Sequence, residues 1–481
     1  MNQPFSAKEI SHGAFWSVSN QIVGQVLSLV VFLITARFVS TKAFGIMAAS
    51  MLAVEFFRQI FIESMATTVY ARRAPDQQVY NASFFMIAGC GLASGLFVLL
   101  LAGPLSALFG HPEIKSALQW ISVILMTMGL SKTHEIWLTK HLQFKTLALR
   151  SILSIAVGGG VGIYLAVHDY GLVSLLVQQI VTAVISLIWL WAACTWRPSL
   201  DLTFAKVVEL FSSWKFLIAN SLTSLLSHQS DIFFSALYLG TAATGIYNAA
   251  KRILAAISMV INGGINGVAL PALTSHSGDK EQLRQSFLTC VSLISMLTAP
   301  LFVGLAVLSA DFVNVLMGEK WIESAPVLSI LSCAAFMGML SLTSVNIMLI
   351  EQKAHWQTVI GILSTICNIG LLAILATKGL VWVAVALLIR TVIFCPVNFF
   401  LSLKLLSLSP LVYAKTVGLP LAFALVMGSA VYSLNLYTDL SSLLNLLLLV
   451  PAGAALYFLL YFLFARKTIL QVLALVKTAR H

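Results

Sequence analysis

Four polar residues, Glu55, Arg58, Gln59 and Glu63, interrupt an apolar run at spacings of i, i+3, i+4 and i+8. In a helix that spacing puts them on one face, where Arg58 can pair with Glu55 a turn away. A second group follows: His228, Gln229 and Asp231, then Asn248, Lys251 and Arg252, all flanked by apolar sequence, with Arg390 alone further on. Ionisable groups in such surroundings are costly and normally face a partner or a water-filled cavity. Pairing between helices accounts for some of them, Asp231 and Glu55 above all. It accounts less well for Lys251 and Arg252, because one Asp cannot neutralise two adjacent cations. The chemistry this predicts is a cationic cavity for an anion such as phosphate, which Arg binds in bidentate fashion. Lys251 and Arg252 are the first candidates for that contact, with Arg58 next and Arg390 as a further possibility beside a snorkelling role. Asp231, Glu55 and Glu63 are the expected charge partners and gates, and Gln21, Gln25, Asn220 and Asn248 the expected polar lining.

The elements that must hold these residues are membrane spans. The chain has 481 residues, 59% hydrophobic and 9% charged, against about 25% charged in soluble domains; its mean hydropathy is +0.96. That composition excludes a single soluble domain, a disordered chain and a nucleic-acid-binding protein, despite a net charge of +11. Taking about 20 residues per span, the apolar runs predict an all-α polytopic membrane protein with about 14 transmembrane helices. They lie near 14–38, 44–70, 81–103, 115–138, 147–167, 171–194, 215–239, 243–271, 286–309, 324–350, 355–377, 379–403, 411–434 and 441–465. At a rise of 1.5 Å per residue, Arg58 is roughly 20 Å from the outer end of its span and Arg252 roughly 14 Å from the outer end of its own. The segment 195–214, with Trp196-Arg197-Pro198 and an amphipathic stretch through Phe204, Val207, Val208 and Phe211, reads as an interfacial linker helix.

Of the 28 Lys and Arg, five lie within spans (Arg58, Lys132, Lys251, Arg252, Arg390) and five on the side opposite the N-terminus (Arg37, Lys42, Lys115, Lys320, Lys378), leaving 18 on the N-terminal side. That bias predicts both termini in the cytoplasm and explains most of the positive charge. An internal repeat supports a six-plus-six plan. At an offset of 200, Ala36/Ala236, Thr41/Thr241, Ala43/Ala243, Gly45/Gly245, Ile46/Ile246 and Ala49/Ala249 are identical, and Gly171-Leu172-Val173 matches Gly379-Leu380-Val381 at 208. Six spans per repeat give two lobes of like orientation, related about the membrane normal. The expected boundaries are an N-lobe over 1–194, a linker over 195–214, a C-lobe over 215–406, two further helices over 407–466 and a basic tail over 467–481.

Blander readings cover the rest. The six cysteines are scattered singly and read as small buried hydrophobes. Trp137, Trp189, Trp191, Trp196, Trp214, Trp321 and Trp356 stand near span ends, as interfacial anchors do. Gly158-Gly159-Gly160 and Gly263-Gly264 lie inside spans and suit close helix packing. There is no Walker A, HExxH or GxSxG sequence, no metal-ligand spacing and no cofactor motif; a coupling ion such as H+ or Na+ is left open.

Several motifs carry a family resemblance. Ala36-Arg37-Phe38-Val39-Ser40-Thr41-Lys42-Ala43-Phe44-Gly45 resembles aRxLgpxxfG, with Ser40 in place of the usual glycine. Asp231, Gly240, Gly245, Tyr247 and Arg252 fit D-x(8)-G-x(4)-G-x-Y-x(4)-R, closed by Pro271. Phe144-Lys145-Thr146-Leu147-Ala148 resembles FKxLA, and Gly318-Glu319-Lys320-Trp321 with Ala325-Pro326 resembles GxkW…aap. In order and spacing these are similar to the Wzx-type polysaccharide flippases of the MOP (multidrug/oligosaccharidyl-lipid/polysaccharide) superfamily, in the colanic-acid-exporter-like branch. The resemblance implies two six-helix lobes around a central cavity, opening alternately to the two sides of a bacterial inner membrane. The implied cargo is a polyprenyl-pyrophosphate-linked oligosaccharide, with polysaccharide polymerase machinery as a partner and the last two spans as a groove for the lipid tail. Two alternatives stand beside it. A cation-coupled multidrug exporter of the same superfamily would place a carboxylate in the first span, where Ala14 to Phe38 holds none. A membrane enzyme acting on lipid-linked sugars would need outer loops larger than these.

Overall fold

The computed structural model describes residues 7–73, 75–274, 279–438 and 440–465. The basic tail expected over 467–481 lies outside them. All regular structure among the described residues is helical. In lipid each backbone N–H and C=O must be satisfied within the protein, and apolar runs of about 20 residues achieve that as helices. In chain order the α-helices are α1 (Ala7–Phe38), α2 (Thr41–Phe57), α3 (Ser64–Tyr70), α4 (Gln77–Leu108), α5 (Glu113–Lys140), α6 (Phe144–Val167), α7 (Leu172–Ala193) and α8 (Phe204–Thr274). They continue as α9 (Lys280–Val307), α10 (Ser309–Met317), α11 (Ser324–Ile350), α12 (Ala354–Leu375), α13 (Leu380–Leu405), α14 (Pro410–Tyr437) and α15 (Ser442–Phe464). A π-helical segment, Arg58–Glu63, joins α2 to α3 so that the three form one span.

Twelve of the described helices are long and apolar enough to cross a membrane. The long helix α8, over the seventh and eighth expected spans, is not among those twelve; it breaks at Gly240, whose φ of 80° and ψ of 179° are not helical. Only glycine enters that region without steric cost. The described residues are therefore those of an all-helical, multi-pass membrane protein, and the twelve spans fall where twelve of the fourteen apolar runs predict them. Helix starts follow side-chain chemistry. Ser40 caps α2 by accepting from the Ala43 N–H, and Asp76 caps α4 by accepting from the Val79 N–H at 2.8 Å. The serine that departs from the family glycine thus has a local job.

The chain divides into two compact units, 1–248 and 249–481. In the first, α4 packs on α5, α6 on α7 and α5 on α7, with α1 against α6. In the second, α9 packs on α11, α12 on α13 and α11 on α13. Three pairings of the first unit, α4 with α5, α6 with α7 and α5 with α7, recur in the second as α9 with α11, α12 with α13 and α11 with α13, as the repeat in the sequence suggests. The second unit also seats α14 on α9 and α15 on α14.

Within the glycine cluster of α6, Gly158 and Gly159 pack closely as expected, a Cβ on Gly158 falling 2.8 Å from the Gln178 carbonyl oxygen of α7, whereas Gly160, and Gly263 of the second cluster, meet nothing within 4 Å. The tryptophans depart from expectation. Trp196, Trp214 and Trp321 are buried, and Trp189 and Trp191 donate to the carbonyls of Thr146 and Leu130 at 3.2 and 3.1 Å. Trp189, Trp191 and Trp214 thus join helices to one another instead of anchoring at an interface, because their indole N–H groups find backbone acceptors inside the protein, while Trp196 is packed against Tyr80, Phe84 and His134. The six cysteines are free, and Cys194, Cys290 and Cys395 are buried as expected, whereas Cys333 is exposed.

Candidate functional site

Glu55, Arg58 and Glu63 come together as predicted, by a route that helical spacing alone does not give. Arg58 lies between both carboxylates. Its Nε and Nη2 donate to Glu55 Oε2 at 3.1 and 2.5 Å, and its Nη1 donates to Glu63 Oε1 at 3.2 Å. Residues five apart on an α-helix point about 140° away from each other. Here the i→i+5 bonding of the π-helical segment brings Arg58 and Glu63 to nearly the same face. The bulge makes that ion pair.

The network then continues beyond the predicted residues. Lys132 of α5 donates to Glu63 at 2.9 Å and to Glu135 at 3.3 Å, and Arg150 of α6 donates to Glu135 at 2.8 Å. The result is an alternating ladder, Glu55–Arg58–Glu63–Lys132–Glu135–Arg150, carrying three formal charges of each sign. Lys132 is its most enclosed member at 9% side-chain exposure, while Arg58, Glu55 and Glu63 keep about a quarter of theirs, at 27%, 26% and 27%. Sequence reasoning missed Lys132, Glu135 and Arg150 as partners. The available signal was the i, i+3 pair of Lys132 and Glu135 inside one span.

A second centre forms around the kink of α8. Asp231, 3% exposed, accepts from the Tyr247 hydroxyl at 2.9 Å, and Tyr247 is fully buried. Thr244 donates to the Gly240 carbonyl at 2.8 Å across the break. Gly245 meets Gly45 in a reciprocal crossing. A Cβ on Gly45 would fall 1.5 Å from the Thr241 carbonyl oxygen, and one on Gly245 would fall 2.1 Å from the Thr41 carbonyl oxygen. The two copies of the repeated Thr-x-x-x-Gly therefore lie against each other, each filling the other's missing side chain. The motif D-x(8)-G-x(4)-G-x-Y thus resolves into a carboxylate, a helix break, a close crossing and the phenol that holds the carboxylate.

The remaining predicted residues are distributed between the units. Lys251 and Arg252 follow Tyr247 on α8, half-buried, at the start of the second unit, and Arg390 is half-buried on α13. In the first unit Gln21 and Asn220 are exposed and Gln25 and Asn248 half-buried. Among the described residues no group of three or more His, Cys, Asp or Glu is placed to hold a metal ion. The second unit also holds an apolar cavity of about 400 Å³, lined by Pro300 and Leu308, by Met427 and Val431 of α14, and by Leu446 and Val450 of α15.

Comparison with known proteins places this geometry. The chain is 25% identical over 334 residues to the succinoglycan biosynthesis transport protein ExoT of Rhizobium meliloti, covering 69% of this chain and 67% of that one. It is 23% identical to the teichuronic acid biosynthesis protein TuaB of Bacillus subtilis, over 94% of this chain and 95% of the relative. Among solved structures, the lipid II flippase MurJ in an inward closed conformation superposes with a TM-score of 0.77 at 16% identity, over 95% of this chain and 99% of that one. At that identity the likeness establishes the fold. Residues 34–326, more than half of the 481, match the family model described as polysaccharide biosynthesis protein, and the chain belongs to that family.

Proposed function

We propose that this protein flips a polyprenyl-pyrophosphate-linked oligosaccharide from the cytoplasmic to the periplasmic leaflet of a bacterial inner membrane by alternating access, supplying surface polysaccharide synthesis. The observation that carries this reading is the set of ionisable side chains held within the spans of a polysaccharide biosynthesis family member. An anionic headgroup crossing a bilayer needs cations at membrane depth, and Lys251, Arg252, Arg58 and Arg390 would be those cations. Asp231, Glu55 and Glu63 hold or release them. The cargo's lipid tail has a matching surface in the apolar cavity between α9, α14 and α15. Relatives add support: one is named a transport protein for succinoglycan biosynthesis, and the fold is shared with a lipid II flippase. The two six-helix lobes, 1–194 and 215–406, would rock about the cargo with both termini in the cytoplasm, and the product would pass to polysaccharide polymerase machinery. The multidrug-exporter reading is disfavoured by the first span, which carries Gln21 and Gln25 and no Asp or Glu.

The test is export in cells. Arg252→Ala and Lys251→Ala should each reduce surface polysaccharide and accumulate the lipid-linked intermediate on the cytoplasmic side, at unchanged protein level. Normal export at normal protein level would remove the cationic-cavity reading.

A further inference from the structure

The π-helical segment Arg58–Glu63 has an unusual support. In this geometry the Ser64 N–H bonds to the Gln59 carbonyl, five residues back. The Ile60 carbonyl instead takes side-chain donors. Trp214 Nε1 donates to it at 3.2 Å and to Ser64 Oγ at 2.7 Å, and Ser64 Oγ donates to the same carbonyl. Trp214 is 7% exposed, with its ring near Phe61 at 5.9 Å and Phe211 at 5.5 Å between centroids. Inside a membrane span, a carbonyl released from the helix ladder needs such a donor. The Ser64 hydroxyl and the indole supply it together, and the indole, which reaches in from α8 some 150 residues away, also holds that hydroxyl in place.

The segment that carries Trp214 is itself fixed to the first unit. Asn81 donates to Ser199 Oγ and to the Asp201 carbonyl, both at 2.7 Å, and accepts from the Ser199 N–H at 3.2 Å. Thr203 donates to Gln78 at 3.0 Å. Lys206 pairs with Asp76 at 3.3 Å and Arg72 with Glu209 at 3.0 Å. The stretch 199–214 therefore runs along α3 and the start of α4 as a splint, and its indole reaches the bulge.

From these contacts we infer that Trp214 is a positioning residue for the charge ladder: its indole N–H holds residues 58–63 in the π-helical register, and that register sets the Arg58–Glu63 pair. Without the indole donor, Ile60 regains an α-helical hydrogen bond and the register slips by one residue. Arg58 and Glu63 then diverge toward the 140° separation of an ordinary helix. Trp214 thereby controls whether Arg58 is engaged by Glu63 or presented elsewhere. This inference rests on the reading that Arg58 contacts the anionic cargo.

The experiment compares Trp214→Phe, which keeps the ring and removes the N–H, in two backgrounds. In the full-length chain, export at matched protein level should fall about fivefold, the factor one net hydrogen bond supplies. With Ile60 deleted, Arg58 and Glu63 become four apart and pair on an ordinary α-helix, so Trp214→Phe should there have no further effect. An equal fall in both backgrounds would make Trp214 a packing residue and overturn the inference. So would undiminished export in Trp214→Phe where Arg58→Ala abolishes it. Undiminished export in Arg58→Ala would instead defeat the cargo-contact reading on which the inference rests. Should the deletion fail to accumulate, spin labels at Phe56→Cys and Thr67→Cys, both exposed positions flanking the bulge, report the register directly. Trp214→Phe should add a second distance population. A single unchanged distribution overturns the inference.

Discussion

Single charged residues in this protein act as members of a ladder. Each interior rung is held by two opposite charges, so removing one strands two others in a setting where they cannot be fully hydrated. Loss of one partner from a buried ion pair costs on the order of 3–5 kcal/mol. Lys132→Ala should fall at or just below that range, since Glu63 and Glu135 retain about a quarter exposure. A thermal-unfolding series in detergent should show Lys132→Ala clearly below wild type, with part of the loss recovered when Glu63→Gln removes one stranded carboxylate. A Lys132→Ala protein as stable as wild type would mean that the ladder is not energetically coupled. The polar face of Glu55, Arg58 and Glu63 was legible in the sequence because each side chain stands out against an apolar run. The continuation through Lys132 to Arg150 was not, because pairing between spans depends on helix rotation, and rotation is set by packing.

Elements show the same division. Span positions and the close packing at Gly158 follow from composition and glycine chemistry, and the sequence reveals both, whereas the break at Gly240 inside one long helix required the structure. The π-helical segment does not follow from Arg58–Glu63 itself. It needs an indole donor from another helix, which no local pattern encodes. The stretch expected as a linker helix over 195–214 is continuous from Phe204 with the rest of α8, and its attachment to α4 required the structure. That attachment has a pH signature. Asp76 caps α4, and the Val79 N–H, then Lys206, hold its carboxyl below the ordinary aspartate range. A group depressed in the folded state stabilises above its unfolded value, about 3.9, and loses that contribution as pH falls through its lower folded value. Proteolytic nicking of the linker should therefore rise in wild type only below about pH 4. In Asp76→Asn it should be raised at neutral pH as well and change little on acidification. Identical pH profiles for the two proteins would dissociate Asp76 from the clamp.

At the scale of the molecule, the segments that repeat at an offset of 200 residues also touch: Thr41 and Gly45 lie on Thr241 and Gly245. Three helix pairings of the first unit recur in the second. The fold was thus largely legible, since six spans per repeat and short connections leave few arrangements. The site was legible in its residue types and only partly in its partners. The account as a whole rests on translocation of a lipid-linked oligosaccharide. The direct measurement reconstitutes the purified protein in vesicles carrying a polyprenyl-pyrophosphate-linked oligosaccharide and follows the sugar's accessibility to an impermeant lectin from one side. The account predicts that wild type exposes the sugar on the opposite leaflet well above protein-free vesicles, and that the Lys251→Ala, Arg252→Ala double variant, equally reconstituted, does not. Wild-type vesicles indistinguishable from protein-free ones, or a double variant that flips at the wild-type rate, would contradict it.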